Sequence, residues 1–468
     1  MESRPEPSAP GPRHPSGPNL AEEPRPEGRA VPRRVWSGAL LQAAGRVFAA
    51  ACTFAALALL ARHLEPGAFG RYTFYLAVFA LLDALTDFGT GAAAVQRSST
   101  TPDAMGPVLR AARRLRRRMA TVGALAVGGA LVFLDEPDWP FVLAATAYQF
   151  THGLELSATV YKNAVRWRVP VLARCLAAAA RLLFVVLLLE FGVTSAGIHI
   201  LATALGSSIA NVVLHLVARR HLPPVVAPDR DVALDLWRIA WPLGLAAVCQ
   251  QGYFYLDNLF IRAFLGEAEL GRYNAAVRLM SFLLLGAQYA SLAALPWLTR
   301  RRAAGDNGAA ARLAVPLFAV ASLALGALLP FGGSLLALGF GEPFRAAGAA
   351  LAWLLGAVAV VHVGAVLMTA AVSFGATRSV LAIAVAALAL NAALNAIWVP
   401  RFGIAGAGAA TFATELVVTL GAGLALRRHG ADLFAESPWR WILGPVAFAL
   451  GAALAGLIPG SAWPWSAP

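Results

Sequence analysis

From about residue 35 to residue 458 the chain is a succession of continuously apolar stretches joined by short polar connections. About 20 apolar residues in a helix span the hydrocarbon core of a bilayer. A barrel strand of the same chain would alternate apolar and polar residues, and these stretches do not alternate. The sequence is 59% hydrophobic and 13% charged, with mean hydropathy +0.65, more apolar surface than a soluble protein of 468 residues has a use for. The expectation is an all-α polytopic membrane protein, in which each helix satisfies its own backbone. Spans are expected near 35–61, 72–96, 119–134, 141–160, 171–190, 195–217, 239–263, 273–298, 313–331, 346–372, 379–399, 404–426 and 440–458. That is about thirteen, within a range of 12–14.

The net charge of +13 invites a nucleic-acid partner, but its distribution excludes one. The arginines cluster in alternate connections: Arg110, Arg113, Arg114 and Arg116–Arg118; Lys162, Arg166 and Arg168; Arg219, Arg220 and Arg230; Arg300–Arg302 and Arg312; Arg427, Arg428 and Arg440. The intervening connections hold few, namely Arg62, Arg71, Arg272, Arg345 and Arg401. This is the positive-inside pattern, which places the N-terminus in the cytoplasm and the arginines beside anionic lipid head groups. Residues 1–34, rich in Pro, Glu, Arg and Ser, bury too little to fold and are expected to be a disordered cytoplasmic tail. Cys52, Cys175 and Cys249 fall in apolar spans without metal-ligand spacing.

One short motif occurs twice. LEPGAFGRY (64–72) returns as LGEAELGRY (265–273), 201 positions later, each time between two apolar spans. A repeat at this period implies two related halves. Six spans separate the copies, an even number, so the halves share one orientation and are related by an axis along the membrane normal. A weaker echo, FGVTSAG (191–197) and RFGIAGAG (401–408), agrees. The expected organisation is the tail 1–34, a six-helix bundle 35–217, a cytoplasmic linker 218–238, a second six-helix bundle 239–426, and an extra helix with tail 427–468. The two pseudo-symmetric bundles would enclose a central cavity.

A charge at the centre of a span costs about 2.5–3.5 kcal/mol on insertion scales, so intramembrane charges face a cavity or a partner. Arg46 lies midway along the first span with Gln42 one turn before it; Arg278 lies in the eighth. They belong to different halves and would meet across the cavity, where two planar guanidinium forks suit a diphosphate. The competing reading is an internal ion pair or, for Arg278, snorkelling to the interface. Arg174 and Arg181, seven apart on one face, either line the cavity or pair with Glu155. Asp83 and Asp87, four apart, either counter Arg46 or carry a coupling cation, with Asp87 read as a helix-end carboxylate. Asp257 and Asn258 in the seventh span are gate or ion-pair candidates, Asp257 with Arg262, and Gln250 and Gln251 lie two turns earlier. His152, His199, His215 and His362 read as packing residues, and Asn391 and Asn395 as interhelical hydrogen-bonding groups. No phosphate-binding GxxxxGK[ST] loop and no catalytic constellation occurs, so neither a cofactor nor an enzymatic role is expected.

Three segments carry a resemblance to a known family. ARHLEPGAFGRYTFYLAVFALLDALTDFG (61–89), WPLGLAAVCQQGYFYLDNLFIRAFLGEAELGRYNAAVRL (241–279) and SFGATRS followed by LNAALNAIWVPRFGIAGAGAATF (390–412) resemble Wzx-type polysaccharide-export flippases. These belong to the multidrug/oligosaccharidyl-lipid/polysaccharide (MOP) exporter superfamily. The resemblance implies two six-helix bundles around a V-shaped cavity in the bacterial cytoplasmic membrane. It implies transfer of an undecaprenyl-diphosphate-linked oligosaccharide to the outer leaflet by alternating access, with a coupling cation (Na+ or H+) and polysaccharide-assembly proteins as further partners. In related lipid II flippases cavity arginines on the first and eighth helices contact the diphosphate; Arg46 and Arg278 match these by position. A thirteenth span departs from the twelve or fourteen usual in the family. The nearest rival is a cation-coupled multidrug exporter of the same superfamily, which would want an acidic cavity; the intramembrane arginines favour an anionic substrate. A membrane glycosyltransferase or polymerase would show a large outer loop, and every outer connection here is short. A non-transporting scaffold would have no use for buried charges.

The charge pattern makes a direct prediction. Reporter fusions after residues 192 and 266 should give periplasmic alkaline phosphatase activity, and fusions after residues 165 and 304 should give none. The reverse pattern would invert the orientation.

Overall fold

The computed structural model describes residues 33–100, 104–133, 136–164, 166–222, 230–433 and 438–458. Most of the expected tail, the middle of the linker and the last residues (1–32, 223–229 and 459–468) lie outside the described residues. The elements are α1 (Arg33–His63), α2 (Pro66–Asp87), α3 (Thr90–Thr100), α4 (Met105–Phe133), α5 (Trp139–Ala145), α6 (Tyr148–His152), α7 (Thr159–Asn163), α8 (Arg168–Glu190) and α9 (Ala196–Ala218). They continue with α10 (Arg230–Leu265), α11 (Glu267–Leu283), α12 (Leu285–Ala303), α13 (Ala309–Leu328), α14 (Gly332–Phe340), α15 (Gly348–Ser373), α16 (Thr377–Arg428) and α17 (Leu443–Gly456). No strand occurs among the described residues. Nine helical stretches among them are long and apolar enough to cross a membrane. The protein is therefore an all-α polytopic membrane protein.

Several expected spans are divided. The second breaks at Phe88 and Gly89, both with positive φ (39° and 73°), which separates α2 from α3. Packing imposes this break: a Cβ on Gly89 would sit 2.5 Å from the Ala240 carbonyl oxygen, and the Phe88 ring stacks on Trp237 at 5.6 Å. The third starts earlier than its apolar residues suggest, because arginine is a good helix former and Arg116 is buried by partners of its own. The fourth is a chain of short helices (α5 to α7) joined through a 3-10 segment, Gly153–Ala158. The eleventh and twelfth spans form α16, whose two limbs, 377–402 and 404–428, meet at Gly403 (φ 61°, ψ −149°). The limbs are tied by the Asn391 amide, which donates to Thr414 Oγ1 at 3.3 Å, and Asn395 donates to Asn391 Oδ1 at 3.0 Å.

Helix contacts fall into two sets. α1 packs on α8, α8 on α9, and α2 on α4; α10 packs on α16, α15 on α16 and on α12 and α13, and α13 on α17. The two sets are joined along α2 and α11, the most extensive single helix pair between them, and by α10 packing on α2, α3 and α4. The α2–α11 seam is formed by the two copies of the repeat. A Cβ on Gly70 would lie 1.9 Å from the Glu267 carbonyl oxygen, and one on Gly271 would lie 2.1 Å from that of Pro66. The contact is reciprocal, because 66 and 70 in one copy correspond to 267 and 271 in the other. One turn further, Asn274 donates to Thr73 Oγ1 at 3.0 Å, again residues 201 apart. Only glycine lets two helix backbones approach this closely in a membrane. Around the crossing lies the largest apolar cluster, with Phe69 edge-on to Phe344 at 5.4 Å and Phe54 edge-on to Phe340 at 5.4 Å.

Substituting Gly70 or Gly271 by valine should force the seam apart and cost about 1–3 kcal/mol or more, as overpacking does. Thermal unfolding in detergent should show both variants well below wild type. Gly67→Ala, where an added methyl meets nothing within 4 Å, should leave it unchanged.

Candidate substrate cavity

The repeat end of the molecule is closed by a charged lock around the glycine crossing. Arg71 pairs with Glu267 at 2.9 Å. Arg262 pairs with Glu136 at 2.8 Å and Glu267 at 3.0 Å, and its guanidinium lies 4.4 Å over the Phe74 ring. Tyr75 donates to Glu136 at 2.7 Å. Glu136 is 3% exposed, so these donors are what make its burial tolerable. Asp138 accepts from Ser195 at 3.0 Å and lies against Gly197, fixing the neighbouring connection. At the opposite, arginine-rich end, Arg116 pairs with Asp87 and donates to Thr90 Oγ1 at 2.9 Å and to the His152 carbonyl at 2.9 Å. There Arg97 also reaches Asp235 at 3.6 Å.

Between these ends lies a cavity of about 230 Å³. α2 lines it with Tyr72, Leu76, Phe79, Ala80 and Asp83, positions that fall on one helix face. α1 contributes Thr53, α8 Arg181, α9 Thr203 and Ser207, α10 Tyr255 and α11 Arg278. Arg181 donates to the Ala177 carbonyl at 3.3 Å and reaches Thr53 Oγ1 at 3.5 Å. Arg278 Nε and Nη2 are buried and have no hydrogen-bond partner. Asp83 accepts from Gln149 at 2.8 Å, and Tyr72 shares a hydrogen bond with Thr203 at 3.0 Å. Two guanidinium groups against one carboxylate leave the cavity cationic.

The structure regroups the predicted residues. Arg278 and Arg181 share the cavity with Asp83, whereas Arg46 is not in its wall and lies 5.9 Å from the Tyr289 ring. Arg46 precedes Thr53 by seven residues and Arg174 precedes Arg181 by seven, about 10 Å along each axis. α1 and α8 cross beside both, where a Cβ on Gly45 would meet Val171 and Cys175. Arg46, half-buried, and Arg174, exposed, thus form a second tier displaced toward the arginine-rich end, with Gln42 one turn beyond Arg46. The alternative pairings do not form. Glu155 takes His152 at 2.9 Å and Arg116 at 3.9 Å rather than Arg174 or Arg181, because it projects from the 3-10 segment toward α4. Asp87 serves Arg116, not Arg46. Asp257, 5% exposed, accepts from Tyr273 at 2.5 Å and from the backbone N–H of Asn258 at 2.8 Å, while Arg262 is held one turn away by Glu136 and Glu267. The buried Asn258 side chain has no partner for either polar atom. Sequence reasoning missed Tyr72, Thr203, Ser207 and Tyr255 in the wall and Glu136 in the lock. The spacing of 72, 76, 79/80 and 83 was the available signal for the first; nothing local marked Glu136.

Fold and cavity together define a multi-pass helical membrane protein with a charged internal chamber between two sets of helices. The chain belongs to the polysaccharide biosynthesis protein family, whose profile matches residues 35–301. Solved structures with the same fold include the lipid II flippase MurJ in an inward closed conformation (10% identity, TM-score 0.68, covering 89% of this chain and 99% of that one). An inward-facing multidrug resistance MATE family transporter of the MOP superfamily is as similar (14% identity, TM-score 0.68, 81% and 94%). A MOP superfamily transporter from Pyrococcus furiosus, described by the reverse polarity of its binding pocket, also matches (11% identity, TM-score 0.58, 90% and 95%). No curated protein matches by sequence.

Removing Arg262 leaves Glu136 buried without its cation, a change that typically costs about 3–5 kcal/mol. Arg262→Gln should therefore lower the unfolding temperature in detergent clearly more than Arg272→Gln, whose partner Glu269 is half-buried. Equal melting of the two variants would remove Glu136–Arg262 from the lock.

Proposed function

We propose that this protein moves an undecaprenyl-diphosphate-linked oligosaccharide from the inner to the outer leaflet of the bacterial cytoplasmic membrane, for surface polysaccharide synthesis. It works by alternating access between two six-helix halves and carries out no covalent step. The observation that carries this reading is Arg278, with two buried nitrogens unpartnered in the same chamber as Arg181. A guanidinium in a low-dielectric site without its full set of acceptors is completed by an anion, and the planar forks of two arginines match the oxygens of a diphosphate. Membership of the polysaccharide biosynthesis family supports a glycan as the rest of the cargo.

Arg46 and Arg174, seven residues before Thr53 on α1 and Arg181 on α8, would receive the diphosphate from the arginine-rich side and pass it to Arg181 and Arg278. Asp83 in the same chamber repels the incoming diphosphate when ionised. Uptake of H+ or Na+ by Asp83 would remove that repulsion and couple the cation to the substrate. Asp257 joins α10 to the repeat end through Tyr273 and, with Asn258 beside it, would transmit closure of the gate. Membrane lipids and the polysaccharide-assembly proteins are the remaining partners.

In a deletion strain complemented with Arg278→Ala or Arg181→Ala, the lipid-linked oligosaccharide should accumulate about tenfold or more while the protein stays in the membrane. Arg278→Lys should fall between, since it keeps the charge and loses the fork. Wild-type export by both alanine variants would sink the assignment. Altered drug sensitivity of the deletion strain with an unchanged glycan pool would favour the multidrug reading.

A further inference from the structure

A second chamber of about 410 Å³ opens between α10, α12, α15 and the 404–428 limb of α16. That volume falls in the range of small-molecule sites. It differs from the first in its chemistry. Its wall carries Gln250, Gln251 and Gln288, with Ser281, Tyr253 and Tyr255. No arginine lines it, and its one carboxylate, Glu415, accepts from Tyr253 at 3.4 Å.

Gln250 and Gln251 stand near the middle of the apolar 231–265 span, where a side-chain amide is costly unless it faces a cavity or a partner. The side-chain amides of Gln250, Gln251 and Gln288 have no hydrogen-bond partner among the described residues. Gln250 and Gln288 are exposed to the chamber rather than packed. Each amide offers two donors and a two-lone-pair acceptor without net charge. Neighbouring hydroxyls of a sugar ring are likewise donor and acceptor at once, and the aromatic rings of Tyr253 and Tyr255 offer flat apolar faces to its C–H groups. Phosphate oxygens, by contrast, would meet no cation here and one carboxylate.

Tyr255 lines both chambers, so they adjoin. In a diphosphate-linked glycan the first sugar is bonded directly to the diphosphate. We infer that this amide-lined chamber is a sugar subsite, which holds the first, uncharged sugar of the glycan while Arg181 and Arg278 hold the diphosphate in the adjoining one. The two parts of the cargo are then read by adjoining chambers: charge by the arginine cavity, hydroxyl pattern by the glutamines. This rests on the diphosphate reading of the first chamber.

The test uses the full-length protein with Gln250, Gln251 and Gln288 all changed to leucine. Farnesyl diphosphate, which carries no sugar, should bind the purified variant within about twofold of wild type, because the arginine chamber is untouched. In the complemented deletion strain, the lipid-linked glycan pool measured by mass spectrometry should rise about tenfold or more, as expected from losing several hydrogen bonds to one ligand. Normal export by the variant overturns the subsite. So does loss of ethidium efflux with unchanged glycan export, which would assign the chamber to a cationic amphiphile instead. Failure of farnesyl diphosphate to bind the wild type would strike the diphosphate reading itself, and is read separately. If the triple variant does not bind farnesyl diphosphate, the three single Gln→Leu variants are measured. A graded loss of export among those that do bind supports the subsite, and wild-type export by all three overturns it.

Discussion

The close crossing of α2 and α11 is the constraint on which the rest depends. Two helix backbones in contact leave no room for side chains between them, so everything else at that end is arranged around the contact. The rings of Phe69, Phe340 and Phe344 fill the space beside it. The charged groups Arg71, Arg262, Glu136 and Glu267 close over it in one connected network. In lipid there is little hydrophobic force to bring helices together, so shape and hydrogen bonding decide which faces meet. Here the glycines supply the shape and the Thr73–Asn274 hydrogen bond sets the register.

The cavity follows from that closure. Below the seam α2 continues with one face turned to the interior, and Tyr72, Asp83 and the residues between them become its wall. α11 leaves the seam on the other side and delivers Arg278 one turn beyond Asn274. The same two helices therefore close one end and line the chamber, which places Asp83 and Arg278 within a few turns of the seam. A change in the seam angle would move Asp83 and Arg278 relative to each other without any hinge inside the cavity. At the other end, Arg116 holds α2, α3 and the 3-10 segment together, and Phe88 anchors the break between α2 and α3 against α10.

Much of the fold was legible in the sequence because lipid imposes a simple rule on it. Apolar length and arginine placement carry the helices and their connections; the repeated Gly-Arg-Tyr motif was visible as a repeat, but the contact between its two copies was not. What was not legible was where helices break. Phe88 adopts a left-handed conformation that its side chain disfavours, and only the packing of Gly89 and Phe88 against α10 explains it. The cavity was half legible. Arg278, Arg181 and Asp83 stand out as charges in apolar surroundings, and the structure gathers them. The pairings could not be read from spacing: Glu155 takes His152 rather than Arg174 or Arg181, Asp87 takes Arg116 rather than Arg46, and Arg262 takes Glu136 and Glu267 rather than Asp257. Glu136 sits in a connection that looked like solvent-facing loop and is instead the buried centre of the lock.

The seam has the form of an interface between two copies of one subunit. Position 70 touches 267, and 271 touches 66, as the two faces of an isologous dimer do. In a true homodimer every substitution would appear twice, and the two faces would be bound to stay identical. A single chain escapes that restriction. Position 66 is proline, which starts α2, and its counterpart is Glu267, which gives both Arg71 and Arg262 a partner that the first copy has no equivalent for. Within one chain a symmetric contact can thus carry a charge on one side only. The seam is built from matched backbones and unmatched side chains, and its two faces are free to drift apart in chemistry while remaining locked in geometry.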